Sequence, residues 1–250
     1  MPVTAACLVP AAPVLLPWLT GTAVPEVAPV RDAVHEALDV LDGCDRVVLV
    51  ATQVPGTLAG FGSPLPPPVP SRARGSWPHE LGHALLDSRP GHDAAPDWRP
   101  GREETSWDRV GPDPAASAAW CAAQDARPGT TGLLLLADGS RTRGPRAPGG
   151  DDPRGETVDR SLARAARAGR PVPARTRAVA PEVGADACPA VDLLAHLAAL
   201  PALPLAPVVT GPGRARAAHD PVPTTRPRAR VLLAAAPLGV GYLVAAWRAR

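Results

Sequence analysis

Residues 132–140 read GLLLLADGS. Four consecutive leucines are too few for an independent helix and too apolar for a surface strand, so the run predicts a central strand buried on both faces. It ends in Asp138-Gly139-Ser140, at the carboxyl end where open α/β sheets place their ligand crevice. Two further apolar runs, 4–9 and 46–51, predict strands. Between them Val27, Val30, Val34, Leu38 and Leu41 recur every three or four positions, an amphipathic helix over 27–41 that Gly43 stops. Strand, helix and strand in this order form a βαβ unit, which implies a parallel pair and a right-handed crossover.

The pattern predicts further helices over 79–87, from Asp113 (as the cap) to about 126, and over 156–168 with Gly169 as its stop. It also predicts a helix over 191–200, belonging to a longer helix that begins near Pro181. The last strands are 205–210, 231–236 and 242–247. Pro/Arg-rich loops occupy 53–78, 88–112, 139–155 and 211–230, the third lying where a lid would lie. These elements describe one α/β domain over residues 1–250, a three-layer α/β/α sandwich around a mixed, mostly parallel sheet, without internal repeats.

Composition changes this picture mainly by exclusion. All 26 basic residues are arginine, and lysine, asparagine and isoleucine are absent, the codon signature of a G+C-rich genome. With a net charge of +2 and arginines scattered among prolines and acids, nucleic-acid binding is not expected. Cys7, Cys44, Cys121 and Cys188 lie far apart, which suggests buried, reduced thiols in a cytoplasmic protein. The apolar N-terminus lacks a positive leader and is broken by Pro10, Pro13 and Pro17, so no signal peptide is expected. Residues 231–247 are uncharged but fall short of the roughly 20 needed to span a bilayer. Pro237, Gly239 and Gly241 interrupt them, which predicts two strands and a turn rather than a membrane segment. The pattern does not specify an oligomeric state.

One chemical motif stands out. His79-Glu80-Leu81-Gly82-His83 matches H-E-x-x-H, in which two histidines one helical turn apart grip zinc and the glutamate acts as base on a bound water. Pro78 places the motif in the first turn of its helix, where frayed, solvated side chains are expected. Leu86 and Arg89 stand where the extended motif has its glycine and third histidine, and His92, Glu103 and Glu104 lie in a predicted loop. The favoured expectation is a polar helix start, with Glu80 placed well against the helix dipole. Zn held by His79 and His83 is the alternative.

Several segments together, LVPAAPVLLPWLTG, GLLLLADGSRTRGPRAPGGDD, ETVDRSLARAARAG and APLGVGYLVAAW, resemble the actinobacterial branch of the LigB-like class III extradiol dioxygenases. The resemblance implies an α/β/α fold and, in an active member, Fe(II) held by two histidines and a carboxylate with a further histidine as acid/base. This sequence departs from that pattern. After the first strand it reads Ala11-Ala12, after the second Thr52-Gln53, and after the central strand Asp138-Gly139-Ser140-Arg141. Alanine and arginine cannot replace imidazole on Fe(II). The expectation is therefore a family relative with no cofactor and no ring cleavage, serving as a small-molecule or partner-binding protein. An active dioxygenase with relocated ligands is a further alternative.

Without a metal, the carboxyl end of the central strand still offers Asp138, Gly139, Ser140 and Arg141. An acid, a hydroxyl and a guanidinium fork can hold a small polar or anionic ligand. The competing structural role for Asp138 is a local turn cap.

Overall fold

The computed structural model describes residues 3–20, 24–61, 75–88, 101–111, 113–200 and 229–249. Its centre is a six-stranded sheet. The strands are β1 (Val3–Val9), β2 (Arg46–Ala51), β5 (Gly101–Ser106), β6 (Thr131–Leu136), β7 (Arg230–Ala235) and β8 (Tyr242–Arg248). A separate two-stranded ribbon joins β3 (Pro55–Gly56) to β4 (Gly75–Ser76). The sheet order is β5-β2-β6-β1-β8-β7, with β5, β2, β6 and β1 parallel and β8 and β7 antiparallel.

The central leucines behave as the pattern predicts. Leu133 and Leu135 join one core, Leu134 and Leu136 the other, and all four are fully buried. At roughly 1.5–3 kcal/mol for each leucine withdrawn from water, this strand is a main anchor of both layers. One layer packs α2 (Ala28–Leu38) and α3 (Trp77–Asp87) on Cys7, Val9 and Leu49. The other packs α5 (Pro114–Asp125), α6 (Arg154–Ala168) and α8 (Cys188–Ala199) on Ala6, Leu8 and Val50. Short helices α1 (Pro17–Thr20), α4 (Trp107–Val110) and α7 (Ala174–Val179) complete the order. Among the described residues no helix is long and apolar enough to cross a membrane.

Local signals act as expected at several ends. Asp113 caps α5, its Oδ1 accepting from the Ala115 and Ala116 amides at 2.9 Å each. Gly169 closes α6 in a left-handed conformation, φ 59°. All four cysteines are buried, and burial raises Cys121 to about 12 and Cys188 to about 11, so both stay thiols near neutrality.

Other expectations change. β6 lies between β1 and β2, so the first βαβ unit joins parallel strands that are not neighbours. Residues 101–106 are an edge strand rather than loop; GREETS carries no apolar face for a periodicity reading to find. The helix near Pro181 is not continuous, because a 3-10 turn over Ala180–Val183 ends at left-handed Gly184 before α8 begins. The predicted strand at 205–210 and nearly all of the 211–230 loop lie outside the described residues.

The expected lid is a tied loop. Gly139 N–H donates to Gly241 O at 2.8 Å, Arg141 N–H to Val183 O at 2.8 Å, and Arg143 N–H to Gly239 O at 3.0 Å. Ser140 and Thr142 are buried.

Candidate functional site

Connections diverge between β1 and β6. From β1 the chain crosses by α2 to β2 on one side, whereas from β6 it travels through α6, α7 and α8 to β7 and β8 on the other. This is the topological switch point, where crevices form outside the carboxyl ends of strands. Asp138 lies across it. Its Oδ1 accepts from the Ala11 N–H at 3.0 Å, which ties the end of β6 to the end of β1. The bond is between strands, so the local turn cap expected for Asp138 is not what its side chain makes.

A second acid completes the crevice. The Asp138 N–H donates to Asp186 Oδ1 at 2.6 Å, and the Asp186 and Ala187 amides return bonds to Asp138 O at 3.1 and 3.0 Å. Thr52, just past β2, donates its hydroxyl to Asp186 Oδ2 at 3.3 Å. Arg141 Nη2 stands 3.9 Å from Asp138 Oδ2.

Burial, followed by the nearby Asp186 charge, pushes Asp138 up to about 7 from 3.8; the Arg141 charge and the Ala11 bond oppose this. Burial raises Asp186 as well. Burial and the Asp138 charge push Tyr242 up to about 12, so its phenol stays protonated. Burial thus brings the Asp138 carboxyl to its titration point near neutrality, where it can donate or accept a proton. Beside Asp186 opens a cavity of about 470 Å³, bordered by Thr52, Trp107, Arg141, Pro181 and Pro189.

The four residues singled out at the end of the central strand thus separate. Arg141 borders the cavity beside Asp186, whereas Asp138 is buried against Ala11 and does not line it. Ser140 turns the other way, donating from N and Oγ to Asp159 Oδ1 and Oδ2 at 2.7 and 2.8 Å, where Arg143 Nη1 also binds at 3.0 Å. Gly139 packs against the same carboxylate, and a Cβ on neighbouring Gly241 would lie 2.2 Å from Asp159 Oδ2. Gly139 and Ser140 shape the loop rather than line the cavity. Asp186 was not singled out from sequence. The available signal was an acid just ahead of a helix with proline in its first turn, ADACP, obscured by reading that helix as continuous from Pro181.

HELGH occupies the first turns of α3, but it is buried rather than solvated: His79, Glu80 and His83 are at most 4% exposed. His79 Nδ1 meets Ser76 Oγ and Nε2 meets Thr105 O, each at 2.9 Å. Glu80 Oε2 accepts from the Leu58 N–H at 2.7 Å, and His83 Nε2 donates to Glu104 Oε1 at 2.9 Å. Burial lowers the His83 pKa, with Glu104 opposing, which favours the neutral ring. Each polar head has its own partner, and the two histidines tie α3 to the polar edge strand β5. His92 lies outside the described residues. Among the described residues no group of three or more His, Cys, Asp or Glu side chains is arranged to hold a metal ion.

No protein-family model matches the chain, and no curated protein matches its sequence. Fold and site together define an α/β/α protein with an acid pair at its switch point. A two-histidine, one-carboxylate iron centre does not fit these strand ends. Ala11, Ala12, Thr52 and Gln53 bring no imidazole, and Asp138 Oδ1 is already engaged by a backbone amide.

Proposed function

We propose that this chain is a LigB-like relative of the class III extradiol dioxygenases that works without iron or zinc, as a cytoplasmic protein binding a small hydroxylated anion at the switch-point crevice. The observation that carries this reading is the Asp138–Asp186 pair, held between the ends of β1, β2 and β6 beside the cavity edged by Arg141. The guanidinium of Arg141 presents a fork for a carboxylate or phosphate. The acid pair exchanges hydrogen bonds with a hydroxyl of the same ligand. Residual ring cleavage with relocated ligands, and hydrolysis by a zinc held on His79 and His83 with Glu80 as base, are the competing readings.

The test has two parts. Untagged protein produced with iron and zinc supplied is expected to contain well under one metal per chain by elemental analysis. About one tightly held iron or zinc per chain sinks the metal-free part, and loss of that zinc in His79→Gln identifies the hydrolase reading. Thermal-shift titration with small hydroxycarboxylates is expected to stabilise the wild type and not Arg141→Gln. Equal shifts in both proteins, or none in either, remove the crevice as the binding site.

A further inference from the structure

The groove between α6 and α7, remote in character from the acid pair, encloses about 410 Å³. Among the described residues Arg154, Arg160, Arg164 and Arg175 border it, and no acidic residue does. Across the whole chain 26 arginines face 24 acids, so this concave surface departs from the average by concentrating one sign of charge.

The four guanidinia are not equivalent. Arg154 pairs with Asp152 and Glu182, and Arg160 with Glu156, all outside the lining. Among the described residues no carboxylate lies within ion-pair distance of Arg164 or Arg175. Between them the Ser161 and Thr176 hydroxyls stand 2.7 Å apart, half-buried and buried respectively; one donates to the other, which leaves one proton to turn toward a ligand. Val158 and Val179 give the groove an apolar wall.

We infer that this groove binds a small phosphorylated anion, with Arg164 and Arg175 supplying the uncompensated charge and the Ser161–Thr176 pair supplying a directional hydrogen bond. The chemistry selects phosphate over a monocarboxylate. Paired guanidinium forks match tetrahedral oxygens bidentately, and the charge of a phosphate group answers two free cations. Arg154 and Arg160 contribute more weakly, because their carboxylates share their donors. A second anion site of this kind is independent of the crevice at Asp138 and stands whether or not that crevice binds anything.

Inorganic pyrophosphate is the probe. Calorimetric titration of the full-length wild type is expected to show one saturable site that weakens steeply as salt rises. Arg164→Gln and Arg175→Gln are each expected to weaken it by about tenfold, the size of one lost charge-assisted hydrogen bond. Arg109→Gln, at an exposed site on α4, is expected to leave it unchanged. Both groove arginines are exposed, so their variants should fold, and matching thermal melts without ligand check this. No saturable binding by the wild type, or equal binding by all four proteins, overturns the inference. Binding lost equally in Arg141→Gln and retained in Arg164→Gln assigns the anion to the crevice and likewise overturns it. Tight binding to anionic vesicles with no response to pyrophosphate does the same, by showing a surface for membranes rather than a phosphate site.

Discussion

Asp138→Asn isolates the acid pair. Asparagine keeps an oxygen to accept the Ala11 N–H but cannot ionise. In the wild type the carboxyl binds its proton more tightly folded than unfolded, about 7 against 3.8. Between those values the native state holds a proton that the unfolded chain has lost, so stability falls as pH rises. The contribution is complete below the unfolded value and gone once pH has passed the folded one. Three pH units at about 1.4 kcal/mol each give a full effect of about 4 kcal/mol, of which roughly 3 falls between about pH 5 and pH 8. This is an upper bound, because part of the shift comes from the Asp186 charge, and burial raises the proton affinity of Asp186 as well. Urea denaturation of both proteins across this range measures it. The variant should gain on the wild type by about 2–3 kcal/mol from the acid end to the alkaline end. Parallel stability curves would refute the reasoning, by showing that Asp138 titrates as an ordinary exposed acid.

Three other perturbations test the packing that holds the site. Arg177→Met should cost about 3–5 kcal/mol in urea denaturation, because it strips the 2.7 Å partner from the fully buried Asp192 carboxylate. Gly82→Ala should cost about 1–3 kcal/mol in the same assay, since its new methyl would stand 2.6 Å from Leu49 Cδ2 and 3.2 Å from Leu136 Cδ1. Asp113→Ala should lower stability by about 1 kcal/mol through the lost cap of α5, and thermal melts at neutral pH check that it does.

The sequence by itself determined the elements whose signals are local. Four leucines with no polar break made β6 a central strand. The spacing of Val30, Val34 and Leu38 made α2, and Asp113 and Gly169 set helix ends. These depend on burial of one face and on hydrogen bonds a few residues apart, which a single strand of text records. The mixed, mostly parallel sheet with helices on both faces followed from their order.

Tertiary structure alone decided three things. It placed β6 between β1 and β2, and so put the switch point where Ala11 and Asp138 meet across 127 positions of sequence. It joined two polar stretches, HELGH and GREETS, into one buried contact. The Nε2 atoms of His79 and His83 in the first find their acceptors on Thr105 and Glu104 in the second. It also brought Asp186 to Asp138 from 48 positions away, and burial rather than residue type raises both carboxyls. Hydrogen-bond satisfaction and desolvation arise only once distant segments exclude water together, so no periodicity in the chain announces them.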